Sequence, residues 1–520
     1  MKTIPAVFRT AMLAAIVVGY GLLLAQDINF VTADLGRHLT TGQLVLQERA
    51  IPATNRYSYT YPDHPFINHH WGSGVILFLV HRVAGFEGLS LVFIGVSLAT
   101  WWLFFHAAWR DSHFEMAACV SILLLPLLAT RAEVRPEVFS YFFSGVFFWL
   151  LSSHREGRLH ARWLLVLPLC ELLWVNLHLY FVLGPALIAA FLFEGAVFCL
   201  ARRPGARERT RHLGFVLLLT CLAAVVNPAG VRGAVYPLRI FHNYGYRVFE
   251  NQPVWFIERL FSYPPALHFK IACVVLLLSV LFRLVVTLRT RTDPPLAHGF
   301  LAVVVSTLGW QAVRNLTLFG YFALPLACAN VRSLRITKVG HARASWVVIP
   351  LLLAAFVGIL RVPGGWGGRR PIRLGLQAGV TNAADFFRHE ALQGPILNNY
   401  DIGSYLIYHL YPREQVFVDN RPEAYPAAFF EQTYVPLQED EQRWREADAR
   451  YRFNVIFFSR HDVTPWGQAF LGRRVFDPGW VPVYVDEYAI ILLRNDGPNQ
   501  TTIRRYELPR SLFSMKPVQP

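Results

Sequence analysis

The chain has 520 residues, of which 54% are hydrophobic and only 16% charged. Soluble globular chains carry about 25% charged residues, so this balance excludes an ordinary soluble enzyme and a disordered chain, and it puts most of the residues in lipid. The net charge of +15 is uneven: residues 1–370 hold 33 Lys/Arg and 16 Asp/Glu, and residues 371–520 hold 16 and 18. Basic residues set between apolar runs are a topology signal, which argues against nucleic acid as a partner.

Windows apolar enough to span a bilayer begin with 7–25, behind Lys2, which also has the form of a signal peptide. A long polar stretch, 27–71, follows and reads as an exported loop. Within it Leu35, Leu39, Gly42 and Leu46 recur at helical spacing, predicting an amphipathic helix over 35–49 on the membrane surface, with Asp34 capping its start. Further windows are 72–84, 88–109, 114–129, 136–152, 162–178, 180–200, 212–228, 267–289, 298–312, 316–330 and 344–361. All six cysteines fall inside apolar stretches without a CxxC pair, which argues against a disulfide framework and a thiolate zinc site.

Basic loops at Arg155–Arg162, Arg202–Arg211, Arg283–Arg291 and Arg332–Arg343 belong on the cytoplasmic side. Residues 131–136, 175–181, 229–266 and 314–315 then face outward, as does everything beyond 361. A cytoplasmic Lys2 and an exported C-terminus need an odd number of crossings. About eleven spans are therefore expected, with 72–84 re-entrant or merged with its neighbour.

The Gly-rich stretch 362–370 reads as a linker between a transmembrane domain over 1–361, which includes the exported loop 27–71, and an extracytoplasmic α/β domain over 371–520. In that domain 396–398, 416–419, 455–458, 482–485 and 489–493 read as strands, and 381–392, 403–411 and 427–450 as helices. It has no phosphate-cradling Gly loop and no nucleophile elbow, so acceptor binding or covering a cleft is its expected part.

The polar residues of the outer face come in a fixed order. Asp34 and His38 are followed by Ile51-Pro52, Tyr57-Ser58-Tyr59 and Asn68-His69-His70-Trp71. Arg131, Arg135-Pro136-Glu137, Trp174-Val-Asn176-Leu-His178, Asn227-Pro228, Glu250 and Arg314-Asn315 come next. Asn399-Tyr400-Asp-Ile-Gly403 and Val418-Asp419-Asn-Arg421 lie in the tail. Ionisable residues at membrane depth are functional candidates by default. Simpler readings exist for each group. Asp34 could be a helix cap, His69-His70-Trp71 an interfacial belt, and Arg131 with Arg135 a headgroup anchor. Asn176 and His178 could pack helices, and Asp419 with Arg421 could form an internal ion pair.

This order resembles the GT-C superfamily of membrane glycosyltransferases, in particular bacterial relatives of the dolichyl-phosphate-mannose:protein mannosyltransferases. The resemblance implies an inverting transfer of sugar from a polyprenyl-phosphate donor to a hydroxyl of a lipid, glycan or protein acceptor, on the outer face of what would be the bacterial plasma membrane. It assigns the general base to Asp34 and the donor phosphate to Arg131, Arg135 and Arg314. His38, His69, His70, Glu137, Asn176, His178 and Glu250 would line the site, and Asn399, Tyr400, Asp419 and Arg421 are candidates in the exported domain. One departure stands out. His70 replaces the second acid of the pattern, so either Glu137 or Glu250 supplies it, or Asp34, His38, His69 and His70 hold a divalent metal. A transporter or flippase of lipid-linked saccharide, and an inactive scaffold in envelope assembly, are the alternatives. The flippase reading predicts repeated halves, and the sequence shows no internal repeat.

Overall fold

The computed structural model describes residues 3–239, 243–332 and 372–513. Lys2, the expected span 344–361, the linker 362–370 and the basic residues Arg335, Lys338 and Arg343 lie outside the described residues. In chain order the larger helices up to residue 332 are α1 (Thr3–Leu24), α2 (Leu35–Glu48), α3 (Trp71–Asp111), α4 (Phe114–Leu128), α5 (Glu137–Arg155), α6 (Val166–Trp174), α7 (Leu183–Leu200), α8 (Ala206–Ala224), α9 (Gly230–Val235), α10 (Val254–Leu260), α11 (Pro264–Thr290), α12 (Leu296–Gln311) and α13 (Leu316–Asn330). Among the described residues five helical stretches are long and apolar enough to cross a membrane: Val7–Leu24, Trp71–Asp111, Phe114–Arg131, Leu179–Leu200 and Pro264–Thr290. The protein is thus a polytopic helical membrane protein with a C-terminal α/β region.

Of the two open readings of 72–84, re-entrant or merged with its neighbour, the structure has the merged one, and the window 162–178 takes a form that was not expected. The windows 72–84 and 88–109 are joined in α3, which bends at Gly85, where φ is +64°; glycine adopts that left-handed backbone without a Cβ penalty. The window 162–178 is a 3-10 turn followed by the nine-residue α6, about 14 Å of helix at 1.5 Å per residue. That is shorter than a bilayer core.

The chain divides into two compact units. The helical unit comprises Met1–Gln26, Ser90–Pro237 and Val248–Leu374. In it α13 packs against α4, α11 and α12, and α7 packs against α5 and α8. Nearly every residue of α13 is buried, as expected of a helix that is apolar all round and central. Aromatic rings fill the centre: Phe104 stacks on Tyr321 at 5.3 Å. Buried polar atoms are paired there, with the Tyr20 and Tyr321 hydroxyls 2.8 Å apart and the Trp101 indole N–H donating to Ser121.

The second unit comprises Asp27–Leu89, Leu238–Arg247 and Gly375–Pro520. Its grouping differs from the sequence expectation, which placed 27–71 with the spans. The sheet holds β1 (Ile396–Asn398), β2 (Val455–Ser459), β3 (Trp480–Val485) and β4 (Ala489–Arg494) in the order β1-β2-β4-β3. β1 and β2 are parallel, and the other pairs are antiparallel. All five residues of β2 are buried, so its unbroken apolar run fits a central strand. The flanking helices are α14 (Asn382–His389), α15 (Gly403–Leu410), α16 (Glu441–Tyr451) and α17 (Gly467–Phe476). The expected helix 427–450 is interrupted near Pro436 and Asp440, and only α16 is a regular helix there.

Two expectations in this unit are corrected. Residues 416–419 are not a strand of the sheet. Val416 makes an isolated bridge to Ser58 and exchanges backbone hydrogen bonds with Tyr57 and Tyr59. The Asn398 side chain takes the Phe417 N–H and the Val418 carbonyl, so those backbone groups are satisfied outside the ladder. Second, α2 does not present one apolar face to a membrane surface. Residues 35–42 are all buried, and α2 packs on α15 and α3 through glycines. A Cβ on Gly36 would lie 2.4 Å from the Ser404 carbonyl oxygen, and one on Gly42 2.1 Å from that of Gly74. Backbone cannot yield as a side-chain tip can. Gly42→Ala should therefore lower stability by about 1–3 kcal/mol, the usual range for overpacking, read as a fall in Tm of the purified protein. An unchanged Tm would mean that the crossing of α2 and α3 opens freely.

Candidate functional site

Each unit contains a polar centre built largely from residues the sequence singled out. In the helical unit, Arg131 ends the run of α4, Glu137 opens α5, Glu250 sits in the loop before α10, and Arg314 lies in the turn between α12 and α13. Each element stops in a polar residue where its apolar run ends, which brings these groups to one end of the bundle. Arg131, Glu250 and Arg314 line a cavity of about 250 Å³ together with Glu133, Arg135 and Tyr263, and Glu137 is held against Arg131 beside it.

The arginines differ in how much of their hydrogen-bonding capacity is used. Arg131 grips Glu137 through Nε and Nη2 and donates Nη1 to Glu250 Oε2 at 2.7 Å. All three of its nitrogens are engaged. Arg135 donates to the same Glu250 oxygen at 3.0 Å and pairs with Glu133, whose side chain is 46% exposed. Arg314 donates to Asn251 at 2.9 Å and stands 3.8 and 4.0 Å from Glu250 and Glu137. Among the described residues the buried Nε of Arg314 has no hydrogen-bond partner, and its guanidinium lies over the Tyr180 ring. Burial works to raise the Glu250 carboxyl, but the Arg131, Arg135 and Arg314 guanidiniums outweigh it and hold the group well below the usual carboxylate range. With Glu133 counted, three guanidiniums meet three carboxylates, and the open donor capacity is at Arg314.

The other outer-face candidates of this unit are braces. Trp174 donates to Ser140, whose hydroxyl meets His178 Nδ1 at 2.8 Å, and that nitrogen also receives the Tyr180 N–H. Asn176 ties the end of α6 to the Val226 carbonyl. The chain of contacts ends at Tyr180, whose hydroxyl donates to Asn315. Asn251 and Tyr180, both partners of Arg314, were not singled out in the sequence, and neither carries a charge or a spacing that would have marked it.

In the second unit, Asp34 precedes α2, but its side chain makes no cap hydrogen bond, so the capping role is corrected. Its Oδ1 accepts from Asn420 at 2.6 Å and its Oδ2 from Arg37 at 3.1 Å. Arg37 also donates to Asn420, closing a three-residue ring that leaves the Asp34 side chain 24% exposed. Arg37, three residues beyond Asp34 on the same helix, was legible in principle; Asn420 became its partner only through the fold. Glu423 lies within electrostatic reach of Arg37, and burial raises its carboxyl. It is an acid the sequence reading did not single out.

His38 and His70 meet ring edge to face at 5.5 Å, and burial pushes the His69 imidazole down to about 4. Among the described residues no three His, Cys, Asp or Glu side chains gather as metal ligands, so the reading of Asp34, His38, His69 and His70 as a ligand set has no cluster behind it. Asp419 and Arg421 form a fully buried ion pair, with Arg421 also donating to Asn55 and lying over Tyr57 and Phe66. Asn399 bridges Asp462 and the Ser459 N–H. The Tyr400 ring stacks on Tyr246 at 4.2 Å. These four residues hold the second unit together.

No family model matches the sequence, and no curated protein matches it. Solved structures do. The oligosaccharyltransferase AglB from Archaeoglobus fulgidus, in complex with an inhibitory peptide and a dolichol-phosphate, is 11% identical with a TM-score of 0.59, over 91% of this chain and 73% of that one. ArnT from Cupriavidus metallidurans, bound to undecaprenyl phosphate, is 13% identical with a TM-score of 0.51, over 94% of this chain and 97% of that one. The chain has the fold of the GT-C membrane glycosyltransferases.

Proposed function

We propose that the protein is an inverting glycosyltransferase that moves a sugar from a polyprenyl-phosphate donor to an acceptor hydroxyl at the outer face of the membrane. The observation that carries this reading is the arginine-lined cavity at the end of the apolar helices, where the Arg314 Nε has no hydrogen-bond partner among the described residues. A lipid phosphate completes that hydrogen-bonding set. In the reaction the acceptor oxygen attacks the anomeric carbon, and the bond from that carbon to the phosphate oxygen breaks with its electron pair. The phosphate leaves as an anion without being protonated, so arginines rather than a general acid are what it needs. The acceptor proton passes to a base, the part proposed for Asp34. Glu137 and Glu250 are held by Arg131. Their part is to set the arginine geometry, not to replace the missing acid.

The test is undecaprenyl phosphate binding to the purified protein in detergent. Loss of one charge-assisted hydrogen bond is worth about 1.5–3 kcal/mol, so Arg314→Gln should weaken binding by about 10–100-fold. Equal affinity in the two proteins would remove the donor-phosphate role from this cavity.

A further inference from the structure

The helical unit has a second set of incompletely satisfied polar groups, at the end of its helices away from the arginine cavity. α5 begins with Glu137, the partner of Arg131 at that cavity, and ends with Arg155 eighteen residues on, a rise of about 27 Å. α13 runs the same way from the residue after Asn315 to Asn330, and His298 stands near the start of α12, whose other end leads into Arg314. At this end Arg155 donates to Glu194 Oε1 at 2.5 Å, and the second oxygen of Glu194 is taken by the Ala297 N–H. Arg158 is shared between Asp111 and Glu156, and Arg332 reaches Glu156 at 3.4 Å. Each of these carboxylates is therefore already engaged. Arg283 has no ion pair among the described residues, its Nε has no hydrogen-bond partner, and Arg155 and Arg332 both lie within electrostatic reach of it.

Two further side chains complete the set. His298 is 3% exposed, its Nε2 has no partner among the described residues, and it lies within electrostatic reach of Arg155 and Arg283. Thr287 is one turn beyond Arg283 on α11, buried, with a hydroxyl that has no partner among the described residues. Ser279, one turn before Arg283, is engaged by Asn330. Ser279, Arg283 and Thr287 thus form a polar stripe at a spacing of four, which keeps them on one face of α11. The rest of that helix exposes Leu277, Leu281, Leu284 and Leu288, an apolar surface suited to acyl chains. An arginine without a counter-ion among the described residues, beside other guanidiniums, flanked by polar groups unmet there and bordered by exposed leucines, calls for an anion delivered on a hydrocarbon tail.

We propose that Arg283, His298 and Thr287 form a binding site for the phosphate of an anionic lipid headgroup, separate from the donor cavity and independent of the reaction proposed above. The experiment titrates the full-length protein in neutral detergent with phosphatidylglycerol, phosphatidylcholine or inorganic phosphate, reading Tm and, by native mass spectrometry, bound lipid. Phosphatidylglycerol should raise Tm and remain bound, and the other two should not. An arginine at a lipid phosphate is worth about 1 kcal/mol, so Arg283→Gln should weaken phosphatidylglycerol binding about fivefold. Arg283→Lys should retain most of it. Arg289→Gln, an exposed basic residue on the same helix, should stay within about twofold of wild type. If Arg283→Gln fails to fold, His298→Gln is read by the same criterion. Wild-type affinity in Arg283→Gln, or equal losses in Arg283→Gln and Arg289→Gln, would overturn the site. A Tm rise with inorganic phosphate equal to that with phosphatidylglycerol would overturn the assignment to a lipid.

Discussion

Asp34→Asn should lower the rate of sugar transfer by about 10²–10⁴-fold, the usual contribution of a general base, with little loss of stability. The substitution keeps the shape of the side chain and an oxygen to accept from Arg37, which remains held by Asn420. One hydrogen bond to Asn420 is weakened, at a cost of about 1 kcal/mol. Undecaprenyl phosphate should still bind, because the proposed phosphate contacts come from Arg314 and its neighbours. A fall in turnover without a fall in donor affinity is what separates a base from a residue that merely holds the fold. Surface glycans restored in a deletion strain, compared between wild type and Asp34→Asn at matched protein levels, provide the cellular readout. Equal rescue would favour transport of a lipid-linked saccharide or a scaffolding role.

The second large effect concerns stability. Arg421→Met should destabilise the second unit by about 3–5 kcal/mol, the range for breaking one side of a buried ion pair. Asp419 is wholly buried, and its carboxylate receives Nε, Nη2 and the backbone N–H of Arg421. Removing the guanidinium leaves that charge with the Tyr425 hydroxyl and the N–H of residue 421, and it also frees Asn55. Hydrogen exchange over 51–66 and 415–425 should speed up together, since Arg421 joins those segments through Asn55, Tyr57 and Phe66. Adding Asp419→Leu should recover much of the loss, because both charges are then gone. If Arg421→Met unfolds like wild type, the pair contributes nothing to stability.

The apolar windows were legible because a spanning helix announces itself in twenty consecutive residues, and the helices found match most of them. β1, β2, β3 and β4 were legible for a similar reason: each is a short β-branched or aromatic run. Residues 416–419 read the same way and are not a strand, because Asn398 and residues 57–59 use their backbone groups first. The helix at 35–48 was found, but its surroundings were not. Its leucine spacing suggested one wet face, and Gly36 and Gly42 instead let neighbouring backbone close over it.

By itself the sequence determined a helical membrane chain with an α/β tail, and it marked the loop arginines and acids that come together in the helical unit. Only the tertiary structure decided which charge answers which: Arg131 with Glu137 and Glu250, Asp34 with Arg37 and Asn420, and Arg314 and Arg283 each with donor capacity to spare. The physical reason is range. Hydrophobic burial depends on the composition of a segment, which is written locally. The state of a buried charge depends on partners within a few ångströms, and those arrive from distant parts of the chain.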